Sequence, residues 1–168
     1  MRLQDPNFDK RAYFKKLESF IYLLLMAPLI FFGWAFLEQQ QAGGLRSVAF
    51  RESDYMFHAV MGIAVAYVLM RTLGTWKRDV LRALESTPQL DVKLQRLQRP
   101  IIFRNLMWAI GVAISSYGLY DKGDMVYALV FTIFLLLITT NRPTGRYFAK
   151  LLKLKGEERE WIEDRKIP

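Results

Sequence analysis

The sequence contains no cysteine and only one histidine, His58, among its 168 residues. The missing thiols exclude disulfides, thiolate metal sites and cysteine nucleophiles. A single histidine cannot supply both axial ligands of a bis-histidine haem. No residues have the spacing of a metal site or of a glycine-rich phosphate loop. We therefore expect a protein that is not an enzyme and that carries no cofactor and no metal.

Acidic residues are also missing from four apolar blocks, at residues 20–37, 55–73, 102–120 and 125–140. The first block has no charged residue at all, and as a helix it would rise about 27 Å, close to the hydrocarbon thickness of a bilayer. A soluble chain would distribute its apolar residues at helical or strand period instead. The sequence therefore predicts an all-α integral membrane protein, a single membrane domain with four transmembrane helices.

Three polar segments flank these spans, at residues 1–19, 74–101 and 141–168. Apolar residues recur in them near helical spacing, which is typical of amphipathic helices at a membrane surface. We predict one such helix over residues 11–19 and two short ones, divided by Pro88, between the second and third spans.

Turn and helix-breaking residues predict where other helices begin and end. Pro100 suits the first turn of the third span, where its missing N–H would have no partner anyway. Residues 121–124 form a tight turn, so the third and fourth spans should pack as an antiparallel hairpin with Asp124 as the helix cap. A further amphipathic helix is expected over residues 144–155.

The basic residues are distributed unequally between the two predicted sides. Of the 24 Lys and Arg residues, all except Arg46, Arg51 and Lys122 fall on the side of the chain termini. Because cytoplasmic segments retain Lys and Arg, we predict that both termini are cytoplasmic, in a plasma membrane such as a bacterial inner membrane. The net charge of +8 then comes from a basic cytoplasmic face, which anionic phospholipid headgroups would attract. Nucleic acid is disfavoured because no recognition fold is visible.

Three ionisable residues of the predicted spans are candidate site residues. Arg71 and Arg104 lie at the cytoplasmic ends of their spans, where they either extend to lipid phosphate singly or flank one pocket for a lipid phosphate or headgroup. His58 lies near the outer end of the second span. It is a candidate polar site, although a ring at that depth could also simply reach water or a headgroup.

Small residues recur about one turn apart in the second and third spans, and small residues let two membrane helices approach closely. We predict a helix-packing face there and, for the second span, a ligand-binding groove as the alternative. The residues concerned are Ala59, Gly62, Ala66, Gly111, Ser115 and Gly118.

Two functions from different classes follow, together with a weaker third. The leading hypothesis is a non-enzymatic membrane subunit, a scaffold or accessory component that binds other membrane or cytoplasmic subunits or self-associates. The alternative is a homo-oligomeric channel or small-solute transporter whose pore is lined by Asn105, Ser115 and Ser116. Ion coupling is disfavoured because the spans contain no acid. The third is a lipid-headgroup enzyme that uses Arg71 and Arg104, but it lacks a nucleophile and a base.

Overall fold

A computed structural model describes residues 9–45, 54–85 and 90–163 of the chain. Helices account for 89% of these residues, and none of them forms a strand. The all-α prediction is therefore confirmed for the described part of the chain. The helices are α1 (Lys10–Gln41), α2 (Tyr55–Glu85), α3 (Leu90–Lys122), α4 (Met125–Thr140), α5 (Gly145–Leu151) and α6 (Gly156–Glu163).

Three of these helices, α1, α2 and α3, are long and apolar enough to cross a membrane. The fourth predicted span, α4, has only 16 residues. It meets α5 at a bend of 84°, and it reaches the length of a span only if the two helices are taken together. The chain thus has three or four helices that suit a bilayer by length and composition.

The third helix lies at the centre of the bundle, with α1, α2 and α4 each packed against it. In its most apolar stretch 56% of the residues are buried inside the chain, compared with 17% in α1 and in α2. Since α1 and α2 turn most of their apolar side chains outward, their surfaces suit contact with lipid or with another protein.

Three of the four short amphipathic helices expected beside the spans are not separate elements. Residues 11–19 belong to α1, residues 74–85 extend α2, and residues 90–101 begin α3. Propagating an existing helix is cheaper than nucleating a new one, so amphipathic segments without a strong breaker simply lengthen their neighbours. The predicted break at Pro88 lies outside the described residues.

The prediction that Pro100 opens a helix is wrong, because it lies in the interior of α3. A proline there costs about 3 kcal/mol relative to alanine. The turns that precede it bury Leu90, Leu94 and Leu97, each at most 2% exposed. Burying such a side chain contributes about 1.5–3 kcal/mol, so the packing of these leucines offsets the proline.

The predicted hairpin of α3 and α4 is present. Gly123 joins the helices with a φ of 67°, which favours glycine. A Cβ at Gly111 would overlap the Phe134 ring, and one at Gly118 would overlap the Tyr127 ring. Because positions later in α3 oppose positions earlier in α4, the two helices are antiparallel.

The amphipathic helix predicted at residues 144–155 is shorter in the structure. It ends at Leu151, and Lys153 then adopts a φ of 52°. The Leu154 N–H donates to the Ala149 carbonyl at 3.0 Å, which closes the helix with a turn. A left-handed residue with this backward hydrogen bond is a common helix end.

Candidate functional site

A polar cluster, the turn cluster, joins α2 to the turn between α3 and α4. It consists of His58, Asp124 and Tyr127. The Nδ1 atom of His58 lies 2.7 Å from the Tyr127 hydroxyl oxygen, and its Nε2 atom lies 3.3 Å from Asp124 Oδ2. The carboxylate belongs to a buried residue, with Asp124 only 6% exposed. The candidate polar residue His58 is therefore held inside the chain by two side chains from the hairpin.

The role of Asp124 differs from the one predicted. It stands at the N-cap position of α4, but its side chain makes no capping hydrogen bond. Its carboxylate faces His58 instead. A buried carboxylate is costly without a polar partner, and the imidazole of His58 provides one. The sequence placed both residues at the outer end of the spans, but their pairing depends on how α2 packs against the hairpin.

Lys122 ties the same end of α2 to the end of α3. Its Nζ atom lies 3.1 Å from Asp54 Oδ1 and 3.2 Å from Asp121 Oδ2. Hydrogen bonds to Asp54 and then to Asp121 raise the pKa of Lys122. The ammonium also lies 4.9 Å from the centre of the Phe57 ring. These contacts hold α2 to α3 beside the turn cluster.

The turn cluster links α2 to the hairpin through side chains of the same chain. Both ring nitrogens of His58 face groups of the same chain, so neither is directed at an open cavity. Among the described residues, no group of three or more His, Asp or Glu side chains could hold a metal ion. The geometry is suited to fixing α2 against the α3–α4 turn.

A second cluster, the arginine cluster, lies at the opposite end of α3. The Arg104 guanidinium is 3.7 Å from the centre of the Trp76 ring, 4.7 Å from that of Trp108 and 5.6 Å from that of Tyr147. Arg104 is only 4% exposed. These partners come from α2, α3 and α5, so one side chain connects three helices.

The aromatic rings stand where an acidic partner would be expected. No carboxylate among the described residues lies within ion-pair distance of Arg104. Its Nε and Nη2 atoms have no hydrogen-bond partner there. A cation over an aromatic face gains about 2 kcal/mol or more when water is excluded. The rings therefore compensate part of the cost of burying the charge.

The two predicted phosphate contacts have different surroundings. Arg71 is exposed, and its guanidinium lies 5.3 Å from the centre of the Phe103 ring. Arg104 is enclosed by a different set of rings. Their joint role in binding one phosphate stays a prediction, and of the two side chains Arg71 is the one that is exposed.

The small residues of α3 are buried in contacts within the chain. Gly111 and Gly118 lie against the Phe134 and Tyr127 rings of α4. The side chain of Ser115 is fully buried, and its hydroxyl donates to the Gly111 carbonyl at 2.9 Å. This half of the predicted helix-packing face contacts α4.

The small residues of α2 have the opposite surroundings. Ala59, Gly62 and Ala66 are all exposed, and a Cβ built at Gly62 would meet nothing within 4 Å. Their predicted role in packing stays a prediction, because no helix of this chain covers them in its described part.

The polar residues proposed to line a pore are buried. Asn105 donates to the Ile101 carbonyl at 2.9 Å, and Ser116 donates to the Val112 carbonyl at 2.7 Å. Both are at most 1% exposed, as is Ser115. These side chains bond to the backbone of α3 and do not face an outer surface where a pore between protomers could form.

Sequence reasoning missed the aromatic partners of Arg104 and the pairing of Asp124 with His58. One signal was available, because a charged residue inside an apolar block needs a partner. Trp76 and Trp108 lie in the chain near the expected membrane boundary, where aromatic residues are usually attributed to the interface. Because of that usual attribution, the sequence did not suggest that these tryptophans surround a buried cation.

Comparison with known proteins supplies no family. No protein-family model, no curated protein and no solved structure matches this chain. Its function must therefore be inferred from the geometry of its own residues.

Proposed function

We propose that this chain is a non-enzymatic integral membrane subunit, a scaffold or accessory component of a larger complex, in which α2 contacts another transmembrane helix. The proposal rests on the open small-residue face of α2, here called the α2 face and defined by Ala59, Gly62 and Ala66. Small residues at such spacing are the usual means of close approach between membrane helices.

The contrast with α3 supports this interpretation. On α3 the same kind of pattern admits two aromatic rings of α4 so closely that a Cβ at Gly111 or Gly118 would overlap them. On α2 the corresponding space is empty around Gly62. A second transmembrane helix would have room there, whether from a different protein or from a second copy of this chain.

The neighbours of the α2 face are suited to a membrane environment. Ile63 and Met70 lie close to it around the helix and are 69% and 68% exposed. Both lie on the same side of the α2 face, where they would form the lipid-facing border of the contact with an incoming helix. Since lipid solvates these side chains equally well, the specific part of the contact would come from the small residues.

The distribution of charge supports a plasma-membrane location for the complex. A plasma membrane, such as a bacterial inner membrane, with both termini in the cytoplasm would place the basic segments beside anionic headgroups. Cytoplasmic partners could then reach the polar ends of α2 and α3 as well as the tail.

The alternative of a homo-oligomeric channel or transporter has less support. Its pore would need Asn105, Ser115 and Ser116 at an interface between protomers. These side chains are buried in the single chain, and lining a pore would require α3 to leave the centre of the bundle.

Affinity purification in mild detergent tests the subunit proposal. The tagged protein should come out with a stoichiometric partner or as an oligomer. Gly62→Leu should reduce that association at least about tenfold, because a large side chain would fill the space that a helix needs.

Gly74→Leu is the matched control. Gly74 is also exposed on α2, a Cβ added there would meet nothing within 4 Å, and it lies about 120° away from Gly62 around the helix. Both changes raise helix propensity equally, but Gly74 lies just past the end of the predicted span and away from the α2 face. A lone monomer, or equal association for the two variants, would contradict the proposal.

A further inference from the structure

An apolar groove lies between α1 and α4, at the end of the bundle that carries the basic segments. It encloses about 260 Å³. Ile21, Leu25 and Ile138 form its floor, each at most 8% exposed. Met26 and Leu135 contribute to its sides. The groove thus presents hydrocarbon almost throughout.

The length of the groove corresponds to one leaflet of a bilayer. Its lining along α1 extends from Glu18 to Leu29, a rise of about 16 Å. That is roughly half of a hydrocarbon core about 30 Å thick. Beyond Leu29 the Phe32 and Phe131 rings stack with their centres 3.5 Å apart. This stack brings α1 and α4 together near the middle of the membrane.

A basic cavity adjoins the polar end of the groove. It encloses about 980 Å³, and it shares Glu18 and Pro143 with the groove. A surface that is apolar along one leaflet and basic at the headgroup level is complementary to an anionic lipid, which has apolar acyl chains and a negatively charged headgroup. The basic residues that line the cavity are Lys10, Arg11, Lys15 and Arg146.

The acidic residues of the cavity already have partners within the chain. Glu163 accepts from Arg159 Nε at 2.9 Å, and Glu18 accepts from the Tyr22 hydroxyl at 3.1 Å. Lys15 and Arg146 are exposed, and they form no ion pair within the part of the chain that the structure describes. The positive charge of this cavity is therefore only partly balanced.

Arg142 stands where the groove meets the headgroup level. It lines the groove together with Tyr22, and its guanidinium lies 5.8 Å from the centre of that ring. Arginine binds phosphate oxygens through two parallel N–H groups, and it remains charged in such surroundings.

We propose that the groove and the cavity together bind one anionic phospholipid of the adjacent leaflet. An acyl chain lies in the groove between α1 and α4, and the phosphate is held by Lys15, Arg142 and Arg146. This site goes beyond the subunit function, since it requires no protein partner and uses the side of the bundle formed by α1 and α4.

Lipid titration of the purified, delipidated protein, followed by native mass spectrometry, tests the site. The probes are phosphatidylglycerol and phosphatidylcholine with identical acyl chains. One phosphatidylglycerol should bind at least about tenfold more tightly than phosphatidylcholine, because basic residues near the headgroup each favour an anionic lipid. Equal binding of the two lipids would overturn the proposal.

The charge requirement is tested with a matched pair of double variants. Lys15→Gln with Arg146→Gln should lower the affinity for phosphatidylglycerol about tenfold. Lys77→Gln with Arg78→Gln removes the same two residue types from exposed positions on α2 and should leave the affinity unchanged. An equal loss in both pairs would assign binding to diffuse charge and overturn the site.

The groove itself is tested by filling it from either side. Met26→Trp and Thr139→Trp place a large ring in the groove from exposed positions of α1 and α4. Each should abolish the tightly bound phosphatidylglycerol while the thermal unfolding midpoint stays the same. Retention of the lipid in both variants would contradict the proposed position of the acyl chain.

Discussion

Helices α2 and α3 are similar in length, and both carry small residues at helical spacing, but the chain uses them differently. In α3 the small residues face inward, where Gly111 and Gly118 admit rings of α4. In α2 they face outward, with Gly62 in open space. A small-residue pattern therefore predicts close packing without telling whether the partner helix belongs to the same chain.

The two arginines of these helices differ in the same way. Arg104 of α3 is buried among three aromatic rings, whereas Arg71 of α2 is exposed over one. Arg104→Ala should lower the free energy of unfolding by about 2–4 kcal/mol, since it removes the cation–π contacts and the packing of the side-chain stem. Arg71→Ala should cost no more than about 0.5 kcal/mol. Denaturant titration in detergent micelles measures both, and equal losses would refute the difference.

The small residues provide the next test. Gly111→Leu should lower the free energy of unfolding by about 1–3 kcal/mol, because the side chain would displace the buried Phe134 ring. Gly62→Leu should not destabilise the isolated chain, because its only expected effect there is a small gain in helix propensity, and it should weaken association. If Gly62→Leu destabilised the monomer as much as Gly111→Leu, the α2 face would not be open.

The contact between α2 and the hairpin can be weakened at the turn cluster. Asp124→Asn should cost about 1–2 kcal/mol, since it replaces a buried carboxylate that faces His58 by a neutral amide. Asp121→Asn is the control on the more exposed side of the turn. Thermal unfolding of the two variants should differ, and a larger effect at Asp121 would contradict the assignment of the turn cluster.

The smallest expected effect concerns Lys122 and pH. Its pKa is raised by hydrogen bonds to Asp54 and then Asp121. The stabilisation is therefore fully present below the pKa of the unfolded chain, about 10.4, and is lost as pH rises through the higher pKa of the folded state. In the Lys122→Gln variant, the decrease in the free energy of unfolding that accompanies deprotonation of Lys122 at alkaline pH should be absent. An unchanged alkaline pH profile would argue against the two contacts.

The sequence was sufficient to predict which segments form apolar helices, but not which of these helices is buried at the centre of the bundle. Composition identifies α1, α2 and α3 because a bilayer requires long apolar segments. The most apolar span, α4, is not the centre of the bundle; the centre is α3, which carries Arg104, Asn105 and two serines. In lipid the polar residues need protein partners, so polarity is a better signal of burial than apolar content in this chain.

Other features depend on contacts between distant segments. Asp124 has the sequence position of a helix cap because it precedes α4, but its carboxylate faces His58 of α2. Pro100 has the signature of a helix start, but three buried leucines continue α3 through it. In both places the packing of side chains from elsewhere in the fold outweighs the local signal.

The proposed subunit function depends most directly on what covers the α2 face in the native membrane. The chain has no cysteine, so Ala66→Cys and Tyr67→Cys each introduce one thiol, at nearly the same depth and about 100° apart around the helix. After labelling with a benzophenone maleimide and irradiation, we predict a protein adduct from position 66 and mainly lipid adducts from position 67. Lipid adducts alone from both positions would contradict the proposed subunit contact.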